Sequence, residues 1–136
     1  MSRFNQRASE LRNDGSRHIN CAQAVLLTFA PDFGLDEETA NRLSACFGSG
    51  MRMGDMCGAI TGALMVLGLA GADDQQASAE LIRSVKEHHD GMIYCRDLLR
   101  RNAELNQPKK VHCDGMVYEC VELTEKILRD RGLIRE

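Results

Sequence analysis

Six cysteines stand in this chain, at positions 21, 46, 57, 95, 113 and 120. A deprotonated thiol is both a nucleophile and a soft metal ligand, so these residues carry the chemistry the sequence could perform. No C-x-x-C pair, zinc-finger spacing or C-x-x-C-H haem site is present. The spacing alone therefore names no chemistry, and what the cysteines can do depends on the elements that hold them.

Those elements read as helices almost throughout. Phe4, Ala8 and Leu11 recur at helical spacing before Gly15. Asn20 can cap a second helix over 21–30, which Pro31 ends. Asp36 can cap a third over 37–46, with Glu37 and Glu38 in its first turn. Residues 47–56 are Gly-rich and read as a loop, and an apolar fourth helix covers 57–71. Asp73 with Gln76 resembles a capping box for a fifth helix carrying Ala77, Leu81, Ile82 and Val85 on one face. A short sixth helix covers 95–101, a polar connection containing Pro108 covers 102–111, and the last helix covers 113–131. No run alternates at period two. The expected fold is an all-α, compact bundle of six to seven helices with short connections, forming a single domain over 1–136.

In this reading Cys21, Cys57, Cys95 and Cys113 all lie at helix starts. Alternate helices of an up-and-down bundle point the same way, so the four should meet at one end. A third helix of ~16 Å, at ~1.5 Å per residue, returns Cys46 towards Cys57. His18, His88, His89 and His112 follow to the same end. Cys120 lies seven residues beyond Cys113 and reads as core. Helix starts present unpaired N–H groups and partial positive charge, which favour thiolates. Four such thiolates could hold an iron–sulfur cluster or zinc. Taken in pairs, they could cycle between dithiol and disulfide, with Cys57 as nucleophile and Cys21 or Cys46 as the resolving thiol. Free cysteines are also common as small buried apolar residues.

Gly48, Gly50 and Gly54 precede Cys57 in FGSGMRMGDMCGAITG. The pattern is not G-x-G-x-x-G and no strand precedes it, which argues against a dinucleotide site. Gly48, Gly50 and Gly58 could let backbone approach a bound group, while a plain connection would need no ligand. Gly58 and Gly62 lie one turn apart and suit tight helix packing. Met51, Met53 and Met56 offer thioethers beside Cys57, although such residues more often pack. His88 and His89 complement a helix C-terminus, and His112 stands next to Cys113.

The chain has 136 residues, 43% of them hydrophobic and 27% charged, enough to build a core without disulfides. Net charge is −3, and there is no Trp, with two Tyr and four Phe. A nucleic-acid partner is not expected. The uncharged stretch 56–72 is at the short limit for a bilayer span and is flanked by Asp55 and Asp73. It reads as a buried helix, not an integral membrane segment, and it could bury itself in a homodimer as readily as within one chain. The polar N-terminus shows no signal peptide, so the expected compartment is the cytoplasm, where thiols stay reduced.

From Asn20 to about Leu128 the sequence resembles the redox-active C_GCAxxG_C_C proteins, which share four cysteines and a CGAxxG motif. NCAQAVL contains the first cysteine, Cys21; GLDEETANRL and FGSGM look like the middle section; CGAITGALMVLGL contains the motif. Cys95 in CRDLL and Cys113 match the third and fourth. The resemblance implies redox chemistry with an unassigned partner. The family is similar to part of the split-Soret cytochromes, which carry an iron–sulfur centre. This favours a cluster on Cys21, Cys57, Cys95 and Cys113 that passes electrons, with a metal-free thiol–disulfide oxidoreductase or a zinc module as the alternatives. Ser49, Cys46 and Cys120 depart from the common pattern.

Overall fold

The computed structural model describes residues 2–134. Seven α-helices follow one another: α1 Arg3–Arg12, α2 Cys21–Phe29, α3 Glu37–Ser44, α4 Gly58–Ala70, α5 Gln75–His88, α6 Cys95–Glu104 and α7 Lys109–Asp130. No β-strand occurs among the described residues, and the only pairing of that kind is an isolated Met56–Tyr94 bridge.

The centre is built by α2, α4 and α7. Every residue of α2 after Cys21 is buried. It starts on a full capping box: Asn20 Oδ1 accepts from the Gln23 amide at 2.8 Å, and Gln23 Oε1 accepts from the Asn20 amide at 2.9 Å. Phe29 stacks on Phe4 of α1 with ring centroids 4.5 Å apart, and the Arg3 guanidinium lies 4.3 Å from the Phe4 centroid. Between α2 and α4 the backbones themselves meet. A Cβ on Gly62 would lie 2.7 Å from the Ala22 carbonyl oxygen, and one on Gly58 would lie 3.4 Å from the Ala22 nitrogen and 2.8 Å from the oxygen of Phe47, in the turn after α3. The tight packing expected of these two glycines is what the fold contains.

Three sequence expectations need correction. The fifth helix is capped by Asp74, which accepts from the Ala77 amide at 2.9 Å, and not by Asp73. The neighbouring acids are equally good caps by type, and the Ala77 face decides between them. The third helix stops at Ser44 and tightens into a 3₁₀ turn, Ala45–Phe47. The connection expected over 102–111 shrinks to 105–108, because α6 continues to Glu104 and α7 begins at Lys109. Asn106, with φ of 57°, turns the chain, and Asn102 Nδ2 donates to the Gln107 carbonyl at 3.0 Å. Pro108 occupies the N-cap position of α7, with no side-chain capping bond, instead of interrupting a loop. Cys113 therefore sits in the second turn of α7 and not at its start.

The Gly-rich segment before α4 is a left-handed turn. Ser49, Gly50, Met51 and Arg52 have consecutive φ values of 53°, 63°, 59° and 60°. The Asp55 amide closes it on the Gly50 carbonyl at 2.9 Å, and Arg52 donates to the Ala45 carbonyl at 3.2 Å. Left-handed backbone costs a non-glycine residue about 1–2 kcal/mol. Ser49 gives no capping hydrogen bond in return. Ser49→Gly is expected to raise the free energy of unfolding by about 1 kcal/mol in urea denaturation. A loss of stability would mean that the hydroxyl holds the turn.

Candidate functional site

Three helix starts and one second-turn residue place four thiols around one cavity. Cys21 is the first residue of α2, Cys57 is the N-cap of α4, and Cys95 is the first residue of α6. Cys113 reaches the same space from α7. The turn before α4 sets two of them. Asp55 accepts from the Cys95 amide at 2.7 Å, and two residues on, the Cys57 amide donates to the Ile93 carbonyl at 2.8 Å. The left-handed turn thus ends in a short two-rung contact that fixes Cys57 and Cys95 relative to each other.

The cavity is narrow, about 30 Å³, with Leu98, Leu99 and Met116 among its apolar lining. That is space for one or two water-sized groups. All six cysteines are free thiols. Cys120 is fully buried below the cavity, as core, where burial lifts its thiol well above the ordinary range. Cys46 is exposed on the 3₁₀ turn and does not line the cavity.

The four thiols differ in proton affinity. The Cys21 and Cys113 side chains interact directly, and this contact holds Cys113 below an ordinary thiol and Cys21 above one. In physical terms one proton between the two sulfurs stabilises a thiolate, and the nearby cations place that thiolate at Cys113. The positive charges of Arg12 and Lys109 further favour the Cys113 thiolate, against the burial that opposes it. Burial pushes the Cys57 thiol up to about 11, although the Ala59 and Ile60 amides favour its thiolate. Burial also raises Cys95, followed by the negative charge on Cys113. Cys113 is thus the common neighbour of the other three and the one poised to ionise.

Among the histidines, His112 lines the cavity, and burial followed by His89 holds it below its ordinary range, so it is neutral at pH 7. His89 Nε2 and His88 Nδ1 lie 2.8 Å and 3.3 Å from the two Glu119 oxygens. His18 is exposed on a neighbouring cleft. Of the glycines weighed for a cofactor, Gly58 lines the cavity. Gly48 lies against the Asn20 side chain, and Gly50 lies where a Cβ would be 2.3 Å from the Asp55 oxygen. Lys109 and Arg12 carry no sequence signal, and Ser49 stands out only as a departure from the family pattern, yet Ser49 and Lys109 line the cavity and Arg12 acts on two of its thiols. The charge of Arg12 carries no motif, since it reaches Cys113 only through the packing of α1 on α7.

Four soft sulfur donors are the right chemistry for iron or zinc. Their placement is another matter. Among the described residues no three Cys, His, Asp or Glu side chains converge closely enough to hold an ion. As folded, the four thiols are not gathered closely enough to ligate one ion together. No described helix is long and apolar enough to cross a membrane.

No curated protein and no solved structure matches the chain. The sequence profile of the family described as "Putative redox-active protein (C_GCAxxG_C_C)" matches residues 19–127. That span runs from just before α2 to the last turns of α7 and contains all four cavity thiols, so the chain belongs to the C_GCAxxG_C_C family of redox-active proteins.

Proposed function

We propose that the protein is a thiol–disulfide redox protein in which Cys113 attacks and Cys21 resolves. The observation that carries this reading is the meeting of the two thiols at the wall of one cavity, and the coupling between them favours ionisation of Cys113. The Cys113 thiolate attacks one sulfur of a disulfide RSSR. The S–S bond breaks, a Cys113–S–SR bond forms and RS⁻ leaves. Cys21 gives its proton to a departing thiolate, and its sulfur attacks the Cys113 sulfur and expels the second RS⁻. Two thiols of the protein are oxidised to one disulfide, and one external disulfide is reduced to two thiols. A reducing dithiol reverses the sequence. The roles differ from a Cys57-first scheme because Cys57 is buried and its thiol is pushed up to about 11. Cys46 lies outside the cavity, and of the three thiols beside Cys113 it is Cys21 whose side chain interacts with it most directly, so Cys21 is assigned to resolve.

The test is oxidation of the reduced, folded protein with hydroxyethyl disulfide, followed by peptide mapping under quenched conditions. The expected product is the chain less two hydrogens, linked Cys21 to Cys113. Because Cys113 is held below an ordinary thiol, its alkylation rate should persist at a pH where free cysteine has gone quiet. It should fall only as pH drops through that lowered value. No intramolecular link, or a link elsewhere with Cys21 and Cys113 still alkylated, would overturn the proposal.

A second reading rests on the gathering of four thiols at one cavity. Cys21, Cys57, Cys95 and Cys113 would then hold an iron–sulfur cluster or zinc once their side chains had turned inward. Iron with matching acid-labile sulfide, or stoichiometric zinc, in protein purified without air would put this reading first.

A further inference from the structure

Cys113 opens on a second space besides the inner cavity. A cleft of about 450 Å³ on the outer side is lined by Leu11, Ile19 and Cys113, together with Arg12, Arg17, His18, Lys109 and Lys110. Of the four cavity thiols, Cys113 alone lines it. Lys109 is shared by both spaces as well, is exposed, and makes no ion pair among the described residues.

The charge pattern is one-sided. The lining holds four cationic side chains and no carboxylate, on a chain whose net charge is −3. Arg12 is held at 2.6 Å by Asp114, which also takes Lys110 at 2.7 Å, and Arg17 pairs with Asp14 and Glu37. These carboxylates pair with three of the four cations and leave Lys109, beside the thiol, as the one with no ion-pair partner among the described residues. An acidic protein with a thiolate at its reactive position repels an anion, unless cations line the way in. The volume suits a small molecule, and Leu11 and Ile19 give it an apolar wall.

We propose that this cleft is the substrate entrance and that the substrate is a small anionic disulfide bearing carboxylates, which reaches the outer face of Cys113 past Lys109. The proposal rests on the Cys113–Cys21 reading above and adds its substrate class. Exchange then follows the same balanced step: the carboxylate-bearing disulfide is cleaved, one half leaves as thiolate, and Cys21 releases the other.

The experiment compares three disulfides of similar size: dithiodiglycolate (anionic), hydroxyethyl disulfide (neutral) and cystamine (cationic). Each rate with the reduced protein is divided by its rate with N-acetylcysteine, and the Cys21–Cys113 link is quantified by mass in every case. The anionic probe should lead the neutral one by about tenfold at low salt and the cationic one by more. The lead should shrink as salt is added, because the lining charges are partly exposed. Lys109→Glu, at an exposed position, should cancel or reverse the order. If the normalised rates are equal while the link still forms, the entrance proposal is overturned and the dithiol reading stands. If none of the probes produces the link, the dithiol reading falls and the proposal falls with it.

Discussion

Replacing Cys113 by serine is expected to lower the rate of thiol–disulfide exchange by about 100-fold or more, since burial, which does not depend on Cys113, still disfavours the thiolates of Cys21, Cys57 and Cys95. Cys21→Ser should behave differently. The first attack survives, at a reduced rate because the Cys21 thiol no longer supports the thiolate, and the Cys113 mixed disulfide accumulates in place of an internal link. Cys46→Ser should change neither step, as its thiol lies outside the cavity. Cys120→Ser should cost stability without slowing exchange, since the residue is fully buried core. Rapid-quench mass spectrometry separates these species. Normal exchange by Cys113→Ser would remove the assignment of the attacking thiol.

The largest effect on stability is expected at Gly62. A Cβ there would meet the Ala22 carbonyl oxygen at 2.7 Å and the Val25 Cβ at 3.1 Å. Backbone cannot swing aside as a flexible side chain can. Gly62→Val would force α2 and α4 apart along the most buried seam of the molecule, at a cost of about 3 kcal/mol. Gly68, six residues on in the same helix, has nothing within 4 Å of its Cβ position. Gly68→Ala should instead add about 0.5–1 kcal/mol, from helix propensity alone. Urea denaturation of the two variants should therefore shift the midpoint in opposite directions. A neutral Gly62→Val would show that the two backbones are not in contact in solution.

Much of this was legible in the chain because it rests on local signals. Asn20 and Asp36 are caps by side-chain type, Phe4 and Ala8 are core by spacing, and Gly62 marks a close approach by its lack of a side chain. The convergence of four cysteines followed from counting helix directions. It survived a misplaced helix start because a four-residue shift at Lys109 still leaves Cys113 near that end. What local signals do not carry is long-range. The pairing of Cys21 with Cys113, and the influence of Arg12 on both, join residues from α1, α2 and α7. Their periodicity and capping say nothing about one another. The left-handed turn was hidden for a different reason: Ser49, Met51 and Arg52 are poor residues for it, and it is the closure by Asp55 that holds them there.

The bare-backbone seam between α2 and α4 also divides the molecule mechanically. Where Gly58 and Gly62 face backbone there is little side-chain volume to repack, so α2 and α4 have little to slide on and carry Cys21 and Cys57 as one stiff plate. Cys113 rides on α7, which meets the cavity through adaptable Met116 and beside Leu98 and Leu99 of α6. The travel needed to bring two sulfurs into bonding distance therefore belongs to α7. On the dithiol reading, oxidation of the pair would draw that helix towards α2, and the oxidised and reduced forms would hold Lys109 differently at the outer surface.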